Sequence, residues 1–112
     1  MTEKSYGFDT LQVHAGARPD PATGARQTPI YQTTAYVFRD ADHAAALFNL
    51  QEVGYIYSRL TNPTVAVLQE RVATLEGGVG AVGCSSGHAA QIMALFPLMR
   101  PGDNVVVSTR LY

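Results

Sequence analysis

The sequence predicts an α/β protein built on a mostly parallel sheet, led by an N-terminal arm and incomplete as it stands. Three observations carry this. Two short apolar segments, VGAVGC (79–84) and NVVVS (104–108), have the composition and glycine-bounded or turn-bounded ends of buried strands. Between them HAAQIMALFPLM reads as a helix, and strand, helix, strand at this spacing makes a βαβ unit with parallel strands and a right-handed crossover. Ahead of the unit, two capped helices follow a turn-rich stretch. Two strands and three helices cannot cover both faces of a parallel sheet, so the expectation is the N-terminal part of a larger α/β protein.

Taken in order, residues 1–38 form the arm: GARPDPATGARQTPIYQTTAY mixes Pro, Gly, Thr and Asp with short apolar pieces and cannot close a core alone. A short helical turn is expected near Phe8 to Val13, and IYQTTAYVF is expected to run extended, against another chain. Residues 39–78 are a helical segment. Asp40 caps the first helix, Ala44, Leu47, Phe48 and Gln51 share one side of it, and Gly54 supplies the stop. Asn62 caps the second, Pro63 takes its first position, Val65, Leu68, Val72 and Leu75 recur at helical spacing, and Gly77 and Gly78 end it. Residues 79–112 are the βαβ unit, with RPGD as its turn.

Composition narrows the function. At 112 residues the chain fits one domain, and 46% hydrophobic content is that of a globular protein. A formal charge of -1 argues against nucleic acid or an anionic membrane as partner. The longest apolar run, IMALFPLM, is too short to span a bilayer, and MTEKSYGFD lacks the apolar core of a secretory signal. A single cysteine, Cys84, excludes an internal disulfide framework, fits a reducing cytoplasm, and reads as a small buried residue. It shares no metal-ligand spacing with the three histidines. Lys4 is the one lysine.

Ligands of an open parallel sheet bind beyond the carboxyl ends of its strands. Ser85, Ser86 and Gly87 follow the first strand and open a helix, whose unpaired N–H groups and positive dipole end suit an anion. Tyr112 follows the second strand and falls on the same edge, whereas Asp103 precedes it and falls on the other. His88 lies in the first turn of the helix. In YSRLTNPT, Tyr57 and Arg59 both carry donors for phosphate oxygens, the guanidinium in a bidentate manner. Each has an ordinary reading beside the functional one: a serine helix cap, a packed tyrosine, a structural histidine, a solvated arginine. Neither the Walker pattern nor the dinucleotide fingerprint is present.

TPIYQTTAYVF, YSRLTNPT, LEGG, SSGHAA and RPGDNVVVSTRLY stand in the order and spacing of one family. The chain resembles the Cys/Met-metabolism family of pyridoxal-phosphate enzymes, of the aspartate-aminotransferase fold type. TLQVHAG, DPATGARQTPIYQTT and HAAALFNLQEVGYIYSRLTNPT are most similar to its O-acetylhomoserine sulfhydrylase branch. The resemblance implies γ-replacement on O-acetylhomoserine by sulfide or a thiol, giving homocysteine or methionine plus acetate. Methionine γ-lyase and cystathionine γ-synthase are the alternatives within the family, and a non-catalytic phosphate-binding or partner-binding fragment is the alternative outside it.

The resemblance also assigns roles. Ser86, Gly87 and the backbone amide of His88 match the helix start that holds the cofactor phosphate. Tyr112 matches the catalytic tyrosine that stacks on the pyridine ring and assists proton transfers. Tyr57 and Arg59, with Ser58 between them, match a pair reaching the phosphate of a neighbouring subunit, so the site belongs to a dimer within a homotetramer. His88 departs from the Gln or Met expected there. The Schiff-base lysine, the aspartate at the pyridine nitrogen and the arginine for the substrate carboxylate match nothing in 1–112. On this reading all three lie in the remaining polypeptide, and the chain alone is inactive.

Overall fold

The computed structural model describes residues 5–112 and divides them into two compact units, one running through Val82 and the other Gly83–Tyr112. Lys4 lies outside the described residues.

In the first unit, α1 (Phe8–His14) confirms the helical turn expected near Phe8. Its end is shaped by Gly16, at φ +71°: a Cβ there would lie 2.8 Å from the Val67 carbonyl oxygen and 3.0 Å from Glu70 Cβ. Only glycine lets the arm approach the helix backbone this closely. Arg71 Nε then donates to the Ala15 carbonyl at 2.9 Å, satisfying one orphan acceptor of α1.

α2 (Ala41–Phe48) starts where the sequence places it. Asp40 accepts from the His43 N–H at 2.7 Å, and His43 Nδ1 in return accepts from the Arg39 N–H at 3.1 Å. This differs from a capping box by one residue: histidine stands in the Glu/Gln place, and the N–H it accepts is that of the residue before the cap. Arg39 Nη2 donates to both carboxylate oxygens of Glu52, at 3.1 and 3.2 Å. The stop differs from expectation. The helix closes at Asn49, with Leu50 in the left-handed region at φ 56° and the Gln51 N–H on the Ala46 carbonyl at 2.9 Å, so Gln51 lies past the helix. Gly54 serves packing instead: a Cβ there would meet Leu47 Cδ2 at 2.8 Å. Leu47, 3% exposed, is the one buried apolar side chain among the described residues, a burial contributing roughly 1.5–3 kcal/mol.

α3 (Pro63–Glu76) has the expected ends, Asn62 at the N-cap and Gly77 at φ 64° with the Gly78 N–H on the Ala73 carbonyl at 2.8 Å. The face it covers is another matter. Val65, Leu68 and Val72 stay exposed, while Val67 and Arg71 meet the arm through Gly16 and Ala15. A helical period reports a helix without naming what covers its stripe.

In the second unit, α4 (Gly87–Leu95) continues into a 3₁₀ turn at Phe96–Leu98, where proline ends the α pattern. The RPGD turn forms, with Gly102 at φ 98° and Asp103 accepting from the Arg100 N–H at 2.7 Å.

The strands expected at 79–84 and 104–108 are not formed. Among the described residues the β pairing is one isolated antiparallel bridge, Ala35 with Tyr57. Val79 and Val106 are 114% and 97% exposed. A parallel strand is stabilised by neighbours along its edges and cover on both faces, so its composition alone cannot hold it in a ladder. Cys84, expected buried, is exposed and donates its thiol to the Ser86 carbonyl at 3.4 Å. No helix among the described residues is long and apolar enough to cross a membrane.

Candidate functional site

The loop that carries Tyr57, Ser58 and Arg59 is held against the arm. The Tyr36 N–H donates to the Ile56 carbonyl at 3.2 Å and the Ser58 N–H to the Thr34 carbonyl at 2.9 Å, so TTAY runs along this chain's own loop. Below the bridge lies a knot of side chains. Asn62, 8% exposed, donates from Nδ2 to the Tyr31 carbonyl at 2.9 Å and to Ser58 Oγ at 3.0 Å, and its Oδ1 accepts from the Thr64 N–H at 2.9 Å. Thr64 Oγ1 donates to the Pro29 carbonyl at 2.8 Å and accepts from the Tyr31 N–H at 2.9 Å. Ser58 donates its hydroxyl hydrogen to the Thr33 carbonyl, so Tyr36 is the donor in the 3.3 Å contact between the two hydroxyls. Ser58 is thus committed inside the knot.

Tyr36 also packs its ring on Tyr55, with centroids 5.4 Å apart, and burial followed by the Tyr36 neighbour pushes the Tyr55 phenol up from its ordinary value. Above this base Tyr57 and Arg59 stand together, with the Arg59 guanidinium carbon 5.4 Å from the Tyr57 ring centroid. Both residues are exposed, and Arg59 enters no salt bridge among the described residues.

In the second unit, Ser86 caps α4, its Oγ accepting from the Ala89 N–H at 3.1 Å. The hydroxyl hydrogen stays available. The next two amides, on Gly87 and His88, have no acceptor among the described residues, as the first turn of a helix requires. A Cβ at Gly87 would meet nothing within 4 Å, so the approach to these donors is open. His88 and Tyr112 lie side by side, ring centroids 5.4 Å apart and tilted by 50°. Two free amides, a hydroxyl and an adjacent aromatic ring fit a phosphorylated planar molecule. A groove of 690 Å³ between the arm and α3, lined by Gln12, Arg26, Thr64, Leu68 and Arg71 among others, contains none of these residues.

Sequence reasoning missed the reach of Asn62, which it read as a local cap, and the parts played by Tyr36 and Thr64. The one available signal was NPT itself, a capping residue followed by proline and a hydroxyl.

The solved structures that match are enzymes of the pyridoxal-phosphate-dependent transferase fold, which fixes the class as α/β. One, from Campylobacter jejuni, is assigned as an O-acetylhomoserine (thiol)-lyase and holds N'-pyridoxyl-lysine-5'-monophosphate at position 205 of its own chain. It superposes with a TM-score of 0.88 at 46% identity, over 96% of this chain and 26% of that one. The family model for Cys/Met metabolism PLP-dependent enzymes matches residues 9–112, and the chain belongs to that family. The homocysteine synthase of Schizosaccharomyces pombe is 54% identical over 112 residues, all of this chain and 26% of its own length. O-acetyl-L-homoserine sulfhydrylase 1 of Thermus thermophilus is 57% identical over 105 residues, 94% of this chain and 25% of its own. The chain therefore spans about a quarter of the curated relatives it matches.

Proposed function

We propose that the chain is the N-terminal portion of an enzyme that replaces the acetoxy group of O-acetylhomoserine with sulfide or a thiol, giving homocysteine or methionine and acetate. The carrying observation is identity above one half, along the whole chain, to relatives whose names state that chemistry. We read residues 1–38 as an arm between subunits, 39–78 as the helical segment bearing a cross-subunit phosphate loop, and 79–112 as the first βαβ of the cofactor domain once its sheet is complete.

Pyridoxal phosphate supplies, when bound, the electron sink that makes protons beside the amino-bearing carbon removable. The chain's own residues hold and orient. Ser86 donates its hydroxyl to the phosphate while the Gly87 and His88 amides, at the positive end of α4, donate beside it. Tyr112 packs on the pyridine ring, and its phenol gives or takes a proton at the substrate and the leaving group. Tyr57 and Arg59 donate to the phosphate of a neighbouring subunit, with Ser58 fixing the loop beneath them. The lysine that anchors the cofactor comes from polypeptide outside this chain; its counterpart in the Campylobacter jejuni relative stands at position 205. The working unit is a cytoplasmic homotetramer with small-molecule partners.

The test is product analysis of the full-length enzyme with O-acetylhomoserine and sulfide. Stoichiometric homocysteine and acetate are expected; a keto acid with ammonia would report elimination instead, and no acetate release would sink the reading. Arg59→Ala should release cofactor faster, and unchanged retention at limiting pyridoxal phosphate would remove Arg59 from the phosphate.

A further inference from the structure

Tyr57 and Arg59 can meet a phosphate only as well as the loop beneath them is aimed, and Tyr36 of the arm grips that loop in three ways. Its N–H donates to the Ile56 carbonyl at 3.2 Å, one residue before Tyr57. Its ring lies on that of Tyr55, with centroids 5.4 Å apart and planes inclined by 39°. Its phenol meets Ser58 Oγ at 3.3 Å, one residue before Arg59. The contacts fall on both sides of Tyr57, and Tyr36 and Ser58 are both half-buried.

The chemistry at Ser58 fixes what the phenol does. A hydroxyl offers one hydrogen and two lone pairs. The hydrogen goes to the Thr33 carbonyl and one lone pair takes Asn62 Nδ2 at 3.0 Å, which leaves the other for Tyr36. Ser58 then has nothing to offer a phosphate, and the phenol fills its last place. Asn62 shares this duty but also caps α3 and holds the Tyr31 carbonyl, so its loss is felt in several places. The Tyr36 hydroxyl makes its one hydrogen bond among the described residues to the loop.

We propose that Tyr36 is a positioning residue for the phosphate grip: its phenol locks Ser58 and so aims Tyr57 and Arg59 at the cofactor of the neighbouring subunit. This rests on the cross-subunit role proposed above for Tyr57 and Arg59. One neutral hydrogen bond weights an equilibrium by about 2- to 12-fold. That is the scale on which its loss should loosen the cofactor.

The experiment measures the dissociation constant of pyridoxal phosphate from the full-length enzyme, read from the visible absorbance of the bound cofactor without any turnover. Tyr36→Phe keeps the ring on Tyr55 and the backbone bond to Ile56, and removes the phenol alone. It should raise Kd by about 2- to 12-fold. The same change is then made in two further backgrounds. In Arg59→Ala, where the loop has less to aim, its effect should shrink towards nothing. In Ser58→Ala, which lacks the acceptor, it should add nothing. A tyrosine that only packs would cost the same factor in all three backgrounds, because independent effects add in free energy. An unchanged Kd in Tyr36→Phe would overturn the proposal. So would the full factor persisting in either double variant, since the phenol would then act elsewhere than through Ser58 and Arg59. An enzyme that binds pyridoxal phosphate but makes no homocysteine would refute the proposed reaction, while the Kd comparison would still decide the role of Tyr36.

Discussion

Replacing Asn62 with alanine should unfasten the loop that carries Tyr57 and Arg59. The side chain is 8% exposed and makes three hydrogen bonds, to the Tyr31 carbonyl, Ser58 Oγ and the Thr64 N–H. Loss of the helix cap costs about 1 kcal/mol. Each remaining bond contributes about 0.5–1.5 kcal/mol net, and a half-buried carbonyl left without its donor lies at the upper end. The local cost is about 2–4 kcal/mol, which at about 1.4 kcal/mol per tenfold is about 30- to 700-fold in opening equilibrium. Amide hydrogen exchange reads it directly. The Thr64 N–H bonds Asn62 itself, the Tyr31 N–H bonds Thr64 Oγ1, and the Ser58 N–H bonds Thr34 across the bridge. All three should lose protection in Asn62→Ala. Asn62→Asp keeps the acceptor and loses both donors, so Thr64 should stay protected while Ser58 does not. A loss below about threefold at the Tyr31 and Ser58 amides, with Thr64 alone deprotected, would refute the reasoning, leaving Asn62 as an end cap with no hold on the loop.

Gly16→Ala and Gly24→Ala form a controlled pair. Both glycines stand at φ +71°, but a Cβ at Gly16 strikes the α3 backbone while one at Gly24 meets nothing within 4 Å. Urea unfolding should show about 1 kcal/mol for Gly24→Ala and at least twice that for Gly16→Ala; equal costs would discount the close approach. Arg71→Ala should remove about 1 kcal/mol from the end of α1, seen as faster exchange of the Ala15 amide, which bonds Leu11. Asp20 is held below its ordinary value of 3.8 by the Thr23 hydroxyl first, then by the Thr23 and Ala22 amides. A depressed carboxyl stabilises its loop above the unfolded pKa and loses that contribution as pH falls through the folded one, so the Thr23 amide resonance should titrate with its midpoint below 3.8.

What the sequence made legible was what neighbours in the chain decide. Asp40, Asn62 and Gly77 sit at helix ends because caps depend on residues two to four positions away. The stop of α2 was misread because left-handed backbone favours glycine, and here the chain places Leu50 there while spending Gly54 on the approach to Leu47. The segments 79–84 and 104–108 carry strand composition, but pairing is a property of partners and not of the segment. The site divides the same way. Tyr57, Arg59, Ser86, Gly87, His88 and Tyr112 could be picked out by residue type and resemblance. The knot of Tyr36, Ser58 and Asn62 could not, since the bonds that tie it to the arm, Tyr36 with Ser58 and Asn62 with Tyr31, join residues 22 and 31 positions apart.

The resting place of Arg59 bears on how fast and how selectively an anion could be met. With its guanidinium carbon over the Tyr57 ring at 5.4 Å, Arg59 rests on an aromatic face and not in an ion pair. No carboxylate among the described residues must be stripped away before a phosphate arrives. An arginine stored in an ion pair would trade one anion for another and gain little; one stored on an aromatic face keeps its charge unspent. Encounter is then governed by the long-range pull between opposite charges, and added salt should slow the arrival of a phosphate more than it hastens its departure.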